Sequence, residues 1–381
     1  MKKRILFTYA TYGNGHKSAA KNIMNYFVNK SDEFEVKELD ISDYSGFTGK
    51  IAEKYYEGNL KHANSFGFGA VYRLFNHKYS LMPMNMVTKK IYKYDTLKKV
   101  ISDFNPDITI STHFFPSIVI SELNKEHVIN SKIITVITDY IEHECWLKNV
   151  NNEDALIVCN EYIKNNIIKK HNIDKNKIYP FGIPLSYNFK NNLEDKDKIY
   201  KKYNLDKNKK TILFFAGGGC GSSFSLSYLK KIMHENINAN IIYVCGKNEK
   251  LKETAEKYVS EKEINNVKIL GYTNDVINLL NISTLVITKP GGLTLTECLE
   301  MKKPVLLIKG NNANEKYNAR FVCKKGFGFK TLTKCRFIKI IKNCIENENY
   351  LNNIHNNLDK YKDNDSSENI YNLTIKLLNS K

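Results

Sequence analysis

Two successive series of short apolar runs, each run followed by a helix-forming stretch, restrict what this chain can fold into more than any other feature. The first series is Ile5–Ala10, Phe34–Leu39, Ile108–Ser111, Ile133–Thr138 and Leu156–Cys159. The second is Thr211–Ala216, Ile241–Cys245, Val267–Leu270, Leu285–Thr288 and Val305–Ile308. Strands that alternate with helices build a parallel sheet, because each crossover helix packs back onto the sheet it leaves. Between the series, residues 190–210 are charged and polar and read as a linker. The expectation is an α/β protein with two Rossmann-like domains facing each other across a cleft. Residues 1–189 and 211–335 would form the domains, and the Asn- and Lys-rich segment 336–381 would form C-terminal helices. A length of 381 residues agrees with two cores, since single cores seldom grow beyond roughly 250–300 residues.

Composition removes several classes. No apolar stretch approaches the ~18–20 residues of a membrane-spanning helix. The N-terminal "MKKRILFTYA" lacks a long apolar core and a small-residue cleavage site, so it reads as a first strand. The eight cysteines stand singly, without a C-x-x-C pair, which argues against a zinc or redox motif and fits a reducing cytoplasm. Nine scattered histidines include no H-E-x-x-H arrangement, and no metal is expected. The net charge of +18 has two readings, a bias towards lysine spread over nearly every helix or an anionic partner. Residues 46–101 sharpen the second reading. They hold Lys50, Lys54, Lys61, Arg73, Lys78, Lys89, Lys90, Lys93, Lys98 and Lys99 against Glu53, Glu57 and Asp95, interleaved with Phe66, Phe68, Tyr72, Phe75, Tyr92 and Tyr94. Such a segment sits on an anionic bilayer, or else packs its aromatics inward and solvates its lysines. No RNP, zinc-finger or helix-turn-helix signature supports a nucleic-acid partner.

The loop "TYGNGHKSAA" from Thr11 follows the first strand and opens a helix. It fails as a dinucleotide loop because Ser18 occupies the third glycine position, and as a P-loop because His16 separates Gly15 from Lys17. A stronger signal runs from Val286 to Val322. There Pro290-Gly291-Gly292 turns the chain after a strand, and Thr294 and Thr296 open a helix bearing Glu297. A helix N-terminus offers free N–H groups to a diphosphate, glycines allow close approach, and a carboxylate can accept both hydroxyls of a ribose. Alone, Glu297 would read as an acid favoured by the helix dipole; with "ANEKYNA" after the next strand, a nucleotide-sugar site is the better reading.

At this point the sequence resembles a known family. "KPGGLTLTE" followed by "NEKYNA" is similar to the donor-site signature of the plant-type monogalactosyldiacylglycerol synthases and the bacterial processive diacylglycerol glucosyltransferases of glycosyltransferase family 28. "GNGHKSAA" resembles that family's Gly-Gly-Gly-His loop, "VITDYIEHECW" its Val-x-Thr-Asp…His-x-x-Trp segment, and "YPFGIPL" the strand and turn before the interdomain linker. The four motifs keep the family's order across residues 11–319.

The resemblance implies a GT-B fold, an acceptor- and membrane-binding N-terminal domain, a UDP-sugar-binding C-terminal domain, and inverting transfer without metal or other cofactor. It places Glu297 at the ribose, Gly291, Gly292 and Thr294 at the diphosphate, and Asn314, Glu315 and Asn318 at the sugar hydroxyls. The "AGGGCGSS" loop, with Gly217, Gly218 and Gly219, would close over the phosphates, although a plain tight turn reads equally well. Gly15, His143 and Trp146 would shape the acceptor site, with simple packing the other reading for His143 and Trp146. An inverting transfer needs a base for the acceptor hydroxyl, and imidazole titrates near neutrality. His16 is the favoured base with Asp139 as its partner, while Asp139 as the base, or as a helix cap, remains open. "NANE" stands where the family commonly has Pro-Gly-Gln-Glu, which leaves glucose or galactose open, and Cys220 has no assigned role. The expected activity is transfer of a hexose from UDP-glucose or UDP-galactose to diacylglycerol, peripherally on the inner face of the cell membrane. A soluble enzyme of the same architecture, such as one with another acceptor or a UDP-sugar epimerase, and a non-catalytic UDP-sugar sensor are the alternatives.

Overall fold

The structure is a computed structural model that describes residues 2–11, 14–46, 84–187, 189, 193–217, 223–310, 313–362 and 365–380. Gly218, Gly219, Cys220 and Phe66, Phe68, Tyr72 and Phe75 lie outside the described residues. The chain divides into two units, Met1–Tyr187 with Asn364–Lys381, and Asn188–Asp363.

In the first unit the described strands are β1 (Lys3–Tyr9), β2 (Phe34–Asp40), β3 (Ile108–Ser111), β4 (Lys132–Val136), β5 (Ala155–Ile157) and β6 (Ile178–Tyr179). They form one parallel sheet in the order β2-β1-β3-β4-β5-β6, with Ile5 opposite Val36 on one side and Ile108 on the other. The period-2 alternation of β1 explains its two-sided burial. Ile5 and Phe7 pack with Ile23 and Phe27 of the helix Asn14–Lys30, while Leu6 faces Leu97, Ile101, Ile120 and Leu123 on the other layer. The order of strands reverses at β1, so the loops after β1 and β3 diverge at the carboxyl end of the sheet, where ligands of such folds gather.

The second unit repeats the device. Its strands are β7 (Thr211–Phe215), β8 (Asn240–Val244), β9 (Val267–Leu270), β10 (Leu285–Thr288), β11 (Val305–Leu307) and β12 (Gly328–Lys330), ordered β12-β11-β10-β7-β8-β9. Here the reversal falls between β7 and β10, which places the loop beginning at Gly217 beside Lys289-Pro290-Gly291.

Four details differ from the sequence reading. Strands β6 and β12 sit at sheet edges and are only two and three residues long, too short to show a run. Residues 190–210 are not wholly a linker. They carry the helix Lys196–Tyr203, capped by Asp195, whose Ile199 and Tyr203 are buried within the second unit. Segment 336–381 is not one tail. The helices Lys334–Glu346 and Asn352–Asp359 belong to the second unit, whereas Ser366–Asn379 returns to the first. There Tyr371 packs among Tyr26, Phe27 and Phe34, and Ser366 Oγ donates to the Gly182 carbonyl at 3.0 Å. Lastly, the described end of the basic-aromatic segment packs inward. Tyr92 is buried with Leu97 and Ile101, Tyr94 packs against that core, and Lys89 and Lys98 bind Glu126 at 3.0 and 2.9 Å. Lys98, Lys89 and Tyr94 together hold the Glu126 carboxyl down to about 2. No helix among the described residues is long and apolar enough to cross a membrane.

Candidate functional site

The loop after β1 does not leave His16 on an irregular segment, as the sequence reading had it; His16 lies in the first turn of the helix Asn14–Lys30. Its ring Nδ1 lies 2.7 Å from the Thr112 carbonyl oxygen and 3.0 Å from Thr138 Oγ1. A carbonyl can only accept, so Nδ1 carries the hydrogen and Nε2 keeps its lone pair. Thr112 Oγ1 also donates to the His16 carbonyl at 2.8 Å, fixing ring and backbone together. Thr112 follows β3, and its N–H extends the ladder to Thr8 at 3.0 Å; Thr138 follows β4. The imidazole is thus held by the ends of two neighbouring strands.

The groups at His16 Nδ1 are Thr112 and Thr138, not Asp139. Nor does it cap a helix, since the residues around it form a bend. Its contribution is charge. Burial lowers the His16 pKa below its usual value, and the Asp139 carboxylate partly opposes that. His113, which the sequence reading did not single out, meets His16 edge to face with ring centres 4.8 Å apart. Its Nδ1 caps the helix Phe114–Lys125 by accepting from the Phe115 N–H, so its hydrogen sits on Nε2. Burial, and then the neighbouring imidazoles, push His113 far below the usual range and His143 down to about 3. The cluster is therefore neutral at physiological pH. His143 and Trp146 are buried at 5% and 1% exposure and pack with Phe114, the packing arrangement rather than an open groove wall. Gly15 is half-buried, and a Cβ there would meet nothing within 4 Å.

In the second unit Gly291 is the N-cap of the helix Gly292–Glu300, and no side chain caps it. The first N–H groups of that helix are therefore left without a side-chain acceptor. A Cβ on Gly291 would also meet nothing within 4 Å. Thr294 and Thr296 do not open the helix: they are its third and fifth residues, and Thr296 Oγ1 bonds back to the Gly292 carbonyl at 2.9 Å. Glu297 is half-buried and has no hydrogen-bond or ion-pair partner among the described residues. Burial alone pushes its carboxyl up to about 7. A carboxylate so placed has acceptor capacity that the protein does not fill.

The neighbouring polar residues are arranged differently. Asn318 is fully buried, and its Nδ2 donates to the Pro290 carbonyl at 3.0 Å, so it holds the glycine turn. Glu315 is buried and accepts from Lys289 Nζ at 2.7 Å. Asn314 keeps a half-exposed side chain on the same helix, Ala313–Lys325. Gly217 has φ +108°, and a Cβ there would sit 3.2 Å from Lys289 Cδ, so the lysine stem lies directly over it. Thr112, Thr138, His113 and Lys289 escaped the sequence reading, yet each immediately follows a strand or ends the two-residue step beyond one. That strand-end position was the available signal.

The family described as Monogalactosyldiacylglycerol (MGDG) synthase matches residues 16–185, and the Glycosyltransferase family 28 C-terminal domain matches residues 212–370. Among solved structures, the fold is similar to MurG of Acinetobacter baumannii, with TM-score 0.64, 11% identity and coverage of 98% of this chain and 99% of that one. It is similar also to UDP-GlcNAc 2-epimerase from Neisseria meningitidis bound to UDP-GlcNAc, with TM-score 0.62, 14% identity and coverage of 98% and 100%. These likenesses establish the GT-B fold. The Processive diacylglycerol beta-glucosyltransferase of Staphylococcus epidermidis is 30% identical over 359 residues, spanning 92% of this chain and 86% of that protein. The chain belongs to the family of monogalactosyldiacylglycerol synthases and processive diacylglycerol glucosyltransferases, within glycosyltransferase family 28.

Proposed function

We propose that this protein transfers a hexose from a UDP-sugar to diacylglycerol, with inversion and without a metal, at the surface of a membrane. Glucose is the favoured hexose, because the similar curated proteins are glucosyltransferases, and galactose is the competitor. The observation that carries the reading is Glu297, a carboxylate without a partner among the described residues, two turns into a helix whose N-terminus has no side-chain cap. Two ribose hydroxyls would donate to that carboxylate, and the diphosphate would accept from the first N–H groups of the helix, starting at Gly292, since the Gly291 N–H already donates to the Lys289 carbonyl at 2.8 Å. In the first unit His16 would take the acceptor's proton on Nε2, the nitrogen left basic by the Thr112 carbonyl. Asp139 would stabilise the imidazolium that forms. Gly15 and Gly291 leave open space where a substrate atom could approach closely.

The direct test is transfer from radiolabelled UDP-glucose and UDP-galactose to diacylglycerol in anionic and neutral liposomes, with EDTA present and absent. A glycolipid formed from UDP-glucose, insensitive to EDTA and faster on anionic vesicles, is the expected result. Absence of any lipid product despite saturable UDP binding would overturn the lipid acceptor. The second reading, a soluble acceptor, draws on the inward packing of Tyr92 and Tyr94 and the pairing of Lys89 and Lys98 with Glu126, which lessen the basic-aromatic surface.

A further inference from the structure

We propose that Lys289 is the counter-charge of the donor's diphosphate, and that Glu315 holds its ammonium group until the donor arrives. The inference rests on the UDP-sugar reading of the second unit and assigns it a cation. Lys289 follows β10 at the point where the order of the sheet reverses. Its aliphatic stem lies over Gly217, the residue that opens the loop after β7, and its Nζ reaches Glu315 beyond β11 at 2.7 Å. One side chain thus joins the loops of three adjacent strands. Gly310 makes the contact possible: a Cβ there would fall 2.6 Å from Glu315 Cβ and 2.7 Å from its Oε2. The carboxylate is nearly sealed, at 5% side-chain exposure, whereas Lys289 keeps 27%. The cation is therefore the accessible member of the pair.

An anion arriving at the uncapped N-terminus after Gly291 lies two residues from Lys289 along the chain. A diphosphate carries more negative charge than one carboxylate and competes for the same ammonium. As transfer proceeds, the bond between hexose C1 and the terminal phosphate oxygen breaks, and its electron pair leaves on that oxygen. The acceptor oxygen forms the new bond to C1, and its proton goes to the base. The diphosphate gains one negative charge in that step, and the Lys289 side chain offsets it.

Calorimetric titration of UDP and of uridine into the full-length protein separates the possibilities. Lys289→Met should weaken UDP by about tenfold or more and leave uridine unchanged. Glu315→Gln, which removes the competing carboxylate, should tighten UDP by about threefold or more. The single lysine change leaves a buried carboxylate without its partner; if it does not fold, Lys289→Met/Glu315→Gln removes both charges and must show the same selective loss of UDP. Equal weakening of UDP and uridine, or unchanged UDP affinity in the lysine variants, would overturn the proposal. So would unchanged or weaker UDP binding by Glu315→Gln. Failure of the unaltered protein to bind either ligand would instead remove the donor-site reading beneath it.

Discussion

The two strand-reversal sites of this molecule solve opposite problems. In the first unit the proposed base is fully furnished: the single hydrogen on His16 Nδ1 is held by the Thr112 carbonyl with Thr138 Oγ1 beside it, and the surrounding imidazoles are neutral. In the second unit the groups are unfinished. Among the described residues Glu297 has no partner, the helix after Gly291 has no side-chain cap, and Lys289 is held by a carboxylate that, on our proposal, the donor's diphosphate replaces. The difference teaches how to tell proton chemistry from binding. A base must be oriented before the substrate arrives, whereas a binding site keeps acceptors and donors that only the ligand can satisfy.

The largest effect should come from the furnished side. His16→Ala should lower kcat by about a thousandfold while circular dichroism and melting stay close to those of the unaltered protein. Glu297→Gln should weaken UDP binding by about 10- to 100-fold in calorimetry, since charge-assisted hydrogen bonds to the ribose are lost. It should also remove a pH dependence whose sign is fixed. The folded protein holds the Glu297 proton up to about 7, against an ordinary value of 4.5. That stabilisation is complete below the ordinary value and lost as pH rises through about 7. Unliganded protein should therefore melt lower at pH 8 than at pH 5 by a margin that Glu297→Gln reduces, and UDP should bind the unaltered protein more tightly as pH rises through the same window.

Gly291→Ala blurs the comparison from the steric side. The added Cβ meets open space in the protein, so stability should hold, while UDP affinity falls by about tenfold if the diphosphate occupies that space. The smallest effect is expected from Asp139→Asn. Removing its charge leaves only the Thr112 carbonyl to oppose burial, so the His16 pKa falls and the acidic limb of the kcat profile moves to lower pH. The plateau should drop by roughly two- to tenfold, because a weaker base accepts the proton less readily. A limb that stays in place would mean that another group is the base.

Much of this comparison was legible in the residues. Strands buried on both faces announce themselves as apolar runs, which is why β3 and β10 fall where the pattern puts them. His16 and Glu297 were visible because each lies on a helix that opens from a glycine-marked turn after a strand. What stayed hidden depends on distant backbone. The Thr112 carbonyl that sets the His16 tautomer lies 96 residues away and belongs to a residue type with no imidazole-binding signature. The Lys289–Glu315 pair spans 26 residues and reads in sequence as two ordinary surface charges. Edge strands β6 and β12 and the helix Ser366–Asn379 escaped for a related reason: their placement follows from pairing and return of the chain, not from local pattern.

One crossed measurement tests the division of labour most directly: UDP affinity and lipid transfer, both determined on the same preparations of His16→Ala and Glu297→Ala. The account predicts that His16→Ala binds UDP as the unaltered protein does yet forms almost no glycolipid, while Glu297→Ala loses UDP binding and transfer together. Normal UDP binding by Glu297→Ala, or a parallel loss of UDP binding in His16→Ala, would contradict it.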